Sequence, residues 1–269
     1  MNSLQQVEYE MLVAFIDICE RLKLRYYLVC GTALGAVKYQ GFIPWDDDVD
    51  VAMPRQDYEI FCREAQALLP EGIFLQNYRT DRHFPAIYTK LRNSNTTYIE
   101  KSSAKLQINH GIYIDVFPLD GYPKNRLEQK WLAIRKKLYK LLLLTPFEGK
   151  YSLKVRVLMK IFRVFRLERH SQRIAAAFDR LISSYPAETS DIWCNHGNWQ
   201  GVLDYTPSCF FGNGKCGSFE GLTVQLPENV HEYLVRKYGD YTLDLPKEKQ
   251  VGHHHYEVCD VFKSYTDYI

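Results

Sequence analysis

The sequence predicts an α/β domain built on a mixed β-sheet flanked by helices, with a basic helical segment inserted into it. Strand-like and helix-like patterns both occur in the first 120 residues, but they do not alternate strictly, as a doubly wound parallel sheet would require. Residues 127–183, in contrast, carry a largely helical pattern. With 269 residues, of which 46% are hydrophobic, the chain is long enough to bury a large core. We expect residues 1–269 to form one domain, with 124–185 as the inserted segment.

The N-terminal elements lead into a turn that suits a phosphate group. Apolar residues between Leu4 and Leu22 recur at three- and four-residue spacing, which predicts an amphipathic first helix. Residues 25–30 follow as a short strand, and Gly31 and Thr32 interrupt it before a short helix in the sequence ALGAVK. Because the first N–H groups of a helix are unpaired and would point back toward the strand end, this turn is a natural phosphate site.

The remaining elements follow from apolar patterns and from helix-start and helix-stop signals. The segment VDVAM predicts a strand, and Pro54 stands where the next helix would begin. Further strands are predicted in IFLQNY, AIYTKLR and GIYIDVF. The last helix is predicted in NVHEYLVRKY and ends at Gly239.

Charge is unevenly distributed along the chain. The formal net charge of +2 gives no reason to expect a nucleic-acid partner, and we expect none. Between Arg126 and Arg173, however, fourteen Lys and Arg accompany three Glu. This segment is therefore strongly basic, and the rest of the chain is acidic.

Cysteine usage and the N-terminal sequence indicate a cytoplasmic protein. The seven cysteines are scattered, odd in number and without a CxxC pair, which suits reduced thiols better than a secreted disulfide framework. The N-terminal residues lack a basic region followed by an apolar stretch, so no signal peptide is predicted. No run approaches the ~18 apolar residues that a membrane-spanning helix needs.

Residues 45–51, WDDDVDV, hold four aspartates within five positions. Because side chains alternate across a strand, Asp48 and Asp50 are expected on one face, and Val49 and Val51 on the other. Two such carboxylates would raise each other's pKa unless a cation lies between them. Carboxylate oxygens are hard ligands that suit Mg²⁺ or Mn²⁺. The spacing therefore predicts a divalent metal site.

A third acid, Asp115, interrupts an apolar strand in HGIYIDVFPLD. A buried acid is costly unless it is paired. A D-x-D strand with one remote Asp on a neighbouring strand, next to a Gly-Thr turn into a helix, is the arrangement needed for metal-assisted phosphoryl or nucleotidyl transfer.

Each of these acids also has a purely structural interpretation. Asp46 and Asp47 could belong to an exposed turn or a helix cap. Asp48 and Asp50 could lie on a solvated strand face, although the flanking valines disfavour this. Asp115 alone could be a satisfied structural acid. The combination of all three features favours the metal site.

Residues 31–61, GTALGAVKYQGFIPWDDDVDVAMPRQDYEIF, resemble the signature of the LicD family of phosphotransferases, which includes bacterial cholinephosphotransferases and, more distantly, fukutin-type enzymes. Further similarity lies in YTKLRNSNTTYIE, HGIYIDVFPLDGYP, FEGLTVQLPENVHEYLVRKYGDY and the terminal HHHYEV. The triplet His253 to His255 matches the family's terminal segment, so it is not interpreted as an expression tag. The basic helical region is left without a match.

The resemblance implies a single catalytic domain with a nucleotidyltransferase-like fold. It further implies transfer of a phosphocholine-type group from a CDP-alcohol such as CDP-choline to a cell-envelope glycan of the teichoic acid or lipopolysaccharide type, with release of CMP. Carried over by position, Gly31 and Thr32 would form the phosphate turn, Asp48 and Asp50 the metal pair, and Asp115 the third acid. The alcohol and the acceptor sugar are not fixed by the resemblance.

Five further residues are candidates for binding the substrate. Lys90 and Arg92 lie two apart in AIYTKLR, hence on one strand face, and could bind the diphosphate; the alternative is a solvated strand edge. Trp45 could stack on a base or face a choline ammonium, or simply pack under the loop. His110 could orient a carboxylate or receive a proton, or form a hydrogen bond in a turn. Asp47 is assigned to the same site.

Two further groups of candidate site residues have weaker support from the sequence. Glu220 and Asp240 are candidates for the pocket rim because they lie in segments that resemble the family. The question of a zinc site is raised by four residues, Cys194, His196, Cys209 and Cys216. Their spacing fits none of the usual structural zinc sites.

Two rival functions accompany the transferase prediction. One is a true nucleotidyltransferase that releases pyrophosphate from an NTP. The other is a non-catalytic glycan-binding module on a transferase fold, which would have no reason to retain three converging acids.

The composition of the basic segment suggests where in the cell the enzyme acts. The segment interleaves bulky apolar residues with Lys and Arg, which suits peripheral contact with an anionic membrane or with a lipid-linked glycan acceptor. The alternative is a set of ordinary amphipathic helices that pack their apolar face on the core. On the membrane hypothesis, Lys136, Lys137 and Lys140 are expected on the exposed face.

Overall fold

A computed structural model of the chain describes residues 1–147, 149, 151–197, 204–252 and 254–269. Within these residues there are eight α-helices and eleven β-strands, joined by loops and short 3-10 turns. The helices are α1 (Ser3–Leu22), α2 (Cys30–Tyr39), α3 (Arg55–Glu64), α4 (Arg126–Leu144), α5 (Leu153–Val164), α6 (Ser171–Ser183), α7 (Ser208–Phe211) and α8 (Val230–Tyr238). The strands are β1 (Tyr27–Leu28), β2 (Asp50–Pro54), β3 (Ile73–Gln76), β4 (Thr89–Asn93), β5 (Thr97–Glu100), β6 (Ile112–Gly121), β7 (Ile192–Cys194), β8 (Tyr205–Pro207), β9 (Lys215–Phe219), β10 (Leu222–Leu226) and β11 (Tyr256–Asp260).

The main sheet is mixed. Its body has the strand order β1, β2, β6, β4, β3, and β7 and β8 extend it from the end of β6. Strands β2 and β6 are parallel, whereas the other neighbours in this sheet are antiparallel. Two smaller antiparallel pairs, β9 with β10 and β5 with β11, lie beside it. The predicted α/β fold with a mixed sheet and flanking helices is confirmed.

Strand β6 is the centre of the core. All ten of its residues are buried. Helix α1 covers the sheet with an apolar face that includes Met11, Leu12 and Phe15. It begins at a capping box in which the Asn2 side chain accepts a hydrogen bond from the Gln5 N–H and the Gln5 side chain accepts one from the Asn2 N–H. Sequence periodicity thus suffices to place this helix.

Two element boundaries next to the acids differ from the prediction. Helix α2 begins at Cys30, whose backbone lies in the left-handed region at φ 52°, so Gly31 and Thr32 lie within its first turn. Strand β2 begins at Asp50 because its ladder with β6 starts at the pair Asp50 and Asp115. Asp48 therefore precedes the strand.

Helices α4 and α6 of the basic segment enclose a second, smaller core. Its buried apolar residues are Tyr78, Ile87, Leu132, Leu143, Ala175, Phe178, Leu181 and Ile182. Lys136 lies on this inner face, where its Nζ is 3.3 Å from the Tyr205 hydroxyl, and Lys140 is half-buried. The expectation that Lys136 and Lys140 are exposed is therefore wrong, because positions 132, 136, 140 and 143 share the helix face that packs inward. Lys137 is exposed as expected.

A buried ionic network joins this second core to the main sheet. Arg55 binds Asp120 through two hydrogen bonds, Nε to Oδ1 at 2.7 Å and Nη2 to Oδ2 at 2.6 Å. Its Nη1 donates to Asp179 Oδ1 at 2.9 Å, and Tyr78 donates to Asp179 Oδ2 at 2.8 Å. Asp120 is fully buried on β6 and Asp179 is buried on α6. The network ties helices α3 and α6 to the end of strand β6.

Candidate active site

The first feature of the site is the register of two aspartates. Asp50 and Asp115 are paired neighbours on the parallel strands β2 and β6. The Asp115 N–H donates to the Val49 carbonyl at 2.8 Å, which fixes this register. Adjacent strands lie about 4.8 Å apart, so both side chains emerge at one point of the sheet. The prediction that Asp115 lies on a strand next to the DxD segment is confirmed.

The start of helix α2 meets the same point. Thr32 is buried, and its hydroxyl oxygen accepts a hydrogen bond from the Asp50 N–H at 2.8 Å. Gly31 faces the acids, because a Cβ atom added there would lie 2.7 Å from Asp46 Oδ2. Thr32 therefore positions Asp50. The role of the turn in phosphate binding stays a prediction.

Lys90 lies against Asp115. Its Nζ is 2.9 Å from Asp115 Oδ1 and 3.1 Å from Oδ2, and it lies 3.2 Å from the centroid of the Tyr113 ring. Strand β4 is an interior strand between β3 and β6, and only 4% of Lys90 is exposed. The alternative of a solvated strand edge is therefore wrong for Lys90. Its position suits a cation that neutralises and orients Asp115.

Arg92 and His110 lie away from the acids. The guanidinium of Arg92 is buried and donates from Nε to Gln76 Oε1 at 2.6 Å and from Nη1 to the Gly111 carbonyl at 2.7 Å. His110 is fully buried, with Nε2 2.9 Å from the Leu106 carbonyl, and burial lowers its pKa. The structure brings neither side chain to the acid cluster. For His110 the contact agrees with the alternative of a turn hydrogen bond.

The loop that carries Asp46, Asp47 and Asp48 is held from both sides. Gln5 of helix α1 donates from Nε2 to the Asp46 carbonyl at 3.0 Å. On the other side, the N–H of His254 donates to Asp47 Oδ2 at 3.0 Å. Asp46 is buried, with 5% exposed, so the exposed-turn alternative is wrong for this residue.

His254 completes a cluster that the sequence did not predict. Its Nδ1 lies 3.3 Å from Asp47 Oδ1 and 3.9 Å from Asp48 Oδ2. One ligand atom from each of Asp47, Asp48 and His254 lies within 4.8 Å of the others, the spacing of a metal-binding group. The predicted set of Asp48, Asp50 and Asp115 does not form such a group among the described residues. Lys90 is paired with Asp115, and His254 lies beside Asp48. The metal role of the predicted set stays a prediction.

Electrostatics show how crowded the negative charge is. Burial, followed by repulsion from Asp48 and Asp47, raises the pKa of Asp46 to about 8. Burial, with repulsion from Asp48 and Asp115, raises the pKa of Asp50 well above its usual range. Buried behind the loop, Glu8 also has a strongly raised pKa, first because of burial and then because of the aspartates. Desolvation and mutual repulsion act together here, the pattern that marks functional sites.

His254 differs from the aspartates, because its surroundings favour the charged form of its side chain. Burial lowers the pKa of His254, but the hydrogen bond to Asp47 and the charge of Asp48 outweigh it and raise the pKa to about 9. Protonated His254 and Lys90 therefore offset part of the negative charge. The cluster of buried carboxylate oxygens fits a hard divalent cation such as Mg²⁺ or Mn²⁺, which would offset more of it.

These side chains line a cleft of about 620 Å³. Asp46, Asp48, Asp50, Asp115 and His254 lie there together with aromatic and apolar residues from α2, the loop that carries the acids, the position just before β4, β6, α8 and the loop after α8. The aromatic residues are Tyr39, Trp45, Tyr88, Phe117, Tyr238 and Tyr241. A cleft that combines carboxylates with aromatic rings suits a ligand with a phosphate group and an apolar or cationic group.

Trp45 and Asp240 both line the cleft, as predicted for pocket residues. The Trp45 ring meets Tyr39 edge to face, with centroids 6.3 Å apart. Lys38 on α2 fixes the loop after α8, which lines the cleft. Its Nζ donates to the backbone carbonyls of Thr242 at 3.0 Å and Leu243 at 2.9 Å.

Glu220 does not line the cleft. Its side chain accepts a hydrogen bond from the Phe42 N–H at 3.1 Å, and its own N–H donates to the Gln40 carbonyl at 2.8 Å. These contacts join the turn between β9 and β10 to the end of α2. Glu220 therefore stabilises the end of α2, a helix that lines the cleft, without lining the cleft itself.

The four residues considered for zinc are not gathered into a site. Cys194 and His196 are buried, and His196 Nε2 lies 3.1 Å from the Gly121 carbonyl, whereas Cys209 and Cys216 are exposed. Among the residues that the structure describes, the group with metal-ligand spacing is the acid and histidine cluster in the cleft.

Comparison with known proteins identifies the family that the chain resembles. Residues 23–151 match the family model described as LicD/FKTN/FKRP, nucleotidyltransferase domain. Over 93% of its length the chain is 29% identical to the lipopolysaccharide cholinephosphotransferase LicD of Haemophilus influenzae, and the match covers 94% of that protein. Residues 23–151 therefore carry a domain of the LicD family. The resemblance predicted from the motifs is thus confirmed, and so is the phosphotransferase class of enzyme.

Two other matches are short. Uncharacterized proteins of Rickettsia typhi and Rickettsia prowazekii are 33% and 35% identical to this chain over 63 residues. Those matches cover 23% of the chain and 19% and 22% of the two proteins, respectively.

Proposed function

We propose that the chain transfers a phosphocholine-type group from a CDP-alcohol, with CDP-choline as the preferred donor, to a hydroxyl of a cell-envelope glycan of the lipopolysaccharide or teichoic acid type, and releases CMP. The observation that carries the proposal is the pairing of Asp50 with Asp115 in a cleft that is lined by both carboxylates and aromatic rings. The name of the Haemophilus influenzae relative supports the choice of phosphocholine and of lipopolysaccharide. We propose a cytoplasmic enzyme, a location that suits its seven free cysteines.

The cleft suits a donor of this size and chemistry. Small-molecule sites commonly have volumes of roughly 300 to 1,000 Å³, and this one is about 620 Å³. The N–H groups at the start of α2 and the cation of Lys90 offer partners for phosphate oxygens near the acids. The aromatic lining includes Trp45 and Tyr88, whose rings could contact a quaternary ammonium.

The donor set fits a divalent cation. Asp48, Asp50 and Asp115 line the cleft together and would hold the cation once their carboxylates converge, since these three do not have metal-ligand spacing in this structure. Asp47 and His254 already have that spacing with Asp48 and could contribute. When bound, the cation would neutralise charge on the diphosphate and on the departing CMP.

The residues of the chain then have distinct tasks in the transfer. The acceptor hydroxyl oxygen forms a bond to the phosphorus that carries the alcohol, and the bond from that phosphorus to the bridging oxygen of CMP breaks. Asp115 accepts the proton of the hydroxyl, and CMP leaves with the bond's electron pair. Lys90 holds the Asp115 carboxylate in place, and Thr32 holds the backbone of Asp50.

The rival nucleotidyltransferase reaction has one observation in its favour, the description of the matched family domain. It would release pyrophosphate from an NTP, whereas the proposed reaction releases CMP. The test incubates the protein and Mg²⁺ with a panel of CDP-alcohols and NTPs and an envelope-glycan acceptor. Release of CMP, with label from the alcohol on the glycan, supports the proposal. Pyrophosphate release from an NTP, or no turnover with any donor, overturns it; the latter outcome would favour the glycan-binding module.

A further inference from the structure

Helix α4 carries a second apolar stripe that faces away from the core. Its inward side chains, such as Leu132 and Leu143, fill the second core. Four other apolar residues follow at spacings of four, three and four, which places them on one side of the helix. They are Leu127, Trp131, Ile134 and Leu138, and between 52% and 67% of each is exposed.

Helix α5 repeats this arrangement. Met159 is buried on its inner side. Its outward apolar residues are Leu153, Val157, Ile161 and Val164, between 44% and 79% exposed, and Phe165 after the helix is 70% exposed. Monomeric proteins rarely leave so many large apolar side chains together in water without a partner. Helices α4 and α5 do pack apolar residues inward, as the alternative of ordinary amphipathic helices expects, but each also carries an outward apolar stripe.

The charges beside these stripes are almost all positive. On α4, exposed Lys130 and Lys137 flank the stripe on one side and exposed Arg135 on the other. Lys154 and Lys160 of α5 are exposed, and α5 contains no acidic residue. A second copy of the chain would bring these like charges against each other, which disfavours self-association through this surface.

We propose that the outward faces of α4 and α5 dock on the surface of an anionic membrane. Apolar side chains would enter the interface between headgroups and acyl chains, and the flanking cations would contact anionic headgroups. In the part of the chain that the structure describes, no helix is long and apolar enough to cross a bilayer. The docking is therefore peripheral. It goes beyond the transfer reaction, since it concerns where the enzyme resides.

The experiment measures co-sedimentation of the full chain with two kinds of vesicle, phosphatidylcholine alone and phosphatidylcholine mixed with phosphatidylglycerol. Binding is expected with the mixed vesicles at low salt, with a large loss at high salt because the attraction is screened. If the protein stays in the supernatant with both kinds of vesicle, the proposal is overturned.

Two variants of equal net charge distinguish binding through this surface from nonspecific attraction by the charge of the whole protein. The variant Lys130→Glu, Arg135→Glu, Lys137→Glu should lower the partition coefficient at least about tenfold. The matched control, Lys101→Glu, Lys215→Glu, Lys263→Glu, changes the net charge equally at exposed positions elsewhere and should bind much more strongly than the first variant. Equal loss in both variants would mean nonspecific attraction and would overturn the proposal.

An apolar comparison tests insertion. Trp131→Ser should weaken binding, whereas Phe262→Ser, which alters a side chain that is 88% exposed outside this surface, should not. Trp131→Phe should still bind but lose the blue shift in tryptophan emission that vesicles induce in the wild type. Circular dichroism checks that each variant is folded. A dimer that Trp131→Ser converts to monomer, without vesicle binding by the wild type, would assign the surface to a second copy instead.

Discussion

Asp50 and Asp115 occupy paired positions on the parallel strands β2 and β6, and each has its own partner in the protein. Thr32 accepts a hydrogen bond from the Asp50 backbone, and Lys90 forms an ion pair with the Asp115 side chain. Thr32 and Lys90 therefore position the two aspartates through different contacts, one with the backbone and one with the side chain. Substitutions of Thr32 and of Lys90 are therefore expected to have different effects.

Removal of the Thr32 hydroxyl should loosen Asp50. In Thr32→Val the buried N–H of Asp50 loses its partner, which should lower the free energy of unfolding by about 1 to 3 kcal/mol. Turnover should fall as well, because the carboxylate is less well positioned. Thr32→Ser retains the hydroxyl and should keep most of both. Urea denaturation and initial rates measure the two effects, and wild-type values in Thr32→Val would show that the bond has no role.

Lys90 should matter most when no cation occupies the site. Lys90→Met leaves buried Asp115 without its counter-charge and should lower the free energy of unfolding by about 3 to 5 kcal/mol in EDTA. Added Mg²⁺ should restore more stability to this variant than to the wild type, because it offsets the same charge. Lys101→Met, at an exposed position, serves as the control. An equal response to Mg²⁺ in wild type and Lys90→Met would argue against a shared role for Lys90 and a cation at Asp115.

Metal and donor should stabilise the protein together. The melting temperature should rise more with Mg²⁺ and CDP-choline combined than the sum of the separate shifts, since each completes the surroundings of the other. Differential scanning fluorimetry over a matrix of both concentrations measures this. Removal of zinc by a zinc-selective chelator should leave the melting curve unchanged. Unfolding on zinc removal would reopen the question of a zinc site near Cys194.

Lys140 should give the stability a dependence on alkaline pH. Burial, with repulsion from Lys136, lowers the pKa of Lys140 to about 8. The unfolded chain, with a pKa near 10.4, binds this proton more tightly, so the charged form destabilises the fold below about pH 8 and the penalty disappears as the pH rises toward about 10.4.

The matching experiment compares Lys140→Met with the wild type across this range. At pH 7 the variant should be more stable by about 1 to 3 kcal/mol, a figure reduced for partial exposure, and the difference should shrink between pH 8 and 10.4. Exposed Lys137→Met is the control and should show no such trend. A constant difference at all pH values would contradict the assigned pKa.

Sequence patterns could predict the parts of this protein that depend on neighbours in the chain. The first helix follows from its apolar spacing, and Asp115 was found because an acid in an apolar strand is conspicuous. The boundary of β2 was missed because it depends on where pairing with β6 starts. The spacing of residues within β2 cannot show where its pairing with β6 begins.

The missed site residues depend on contacts between distant segments. His254 reaches Asp47 from 207 positions away because β11 pairs with β5 and brings the C-terminal segment back to the acids. Glu8 on helix α1 is buried, and repulsion from the aspartates of this loop adds to burial in raising its pKa. A His within a segment that resembles the family was the one available signal for His254, and its neighbour His253 lies outside the described residues.

The most direct test of the central claim is the initial rate of CMP release from CDP-choline, measured against Mg²⁺ concentration in the presence of a glycan acceptor. The wild-type rate should rise with Mg²⁺ and saturate. Asp48→Asn and Asp50→Asn should be slower by at least about 100-fold at saturating Mg²⁺, while their metal-free forms melt at the same or a higher temperature because repulsion is relieved. Asp17→Asn, on the exposed side of α1, should match the wild type. Full activity of Asp48→Asn or Asp50→Asn, or equal rates with and without the cation, would contradict a metal-assisted transfer at these aspartates.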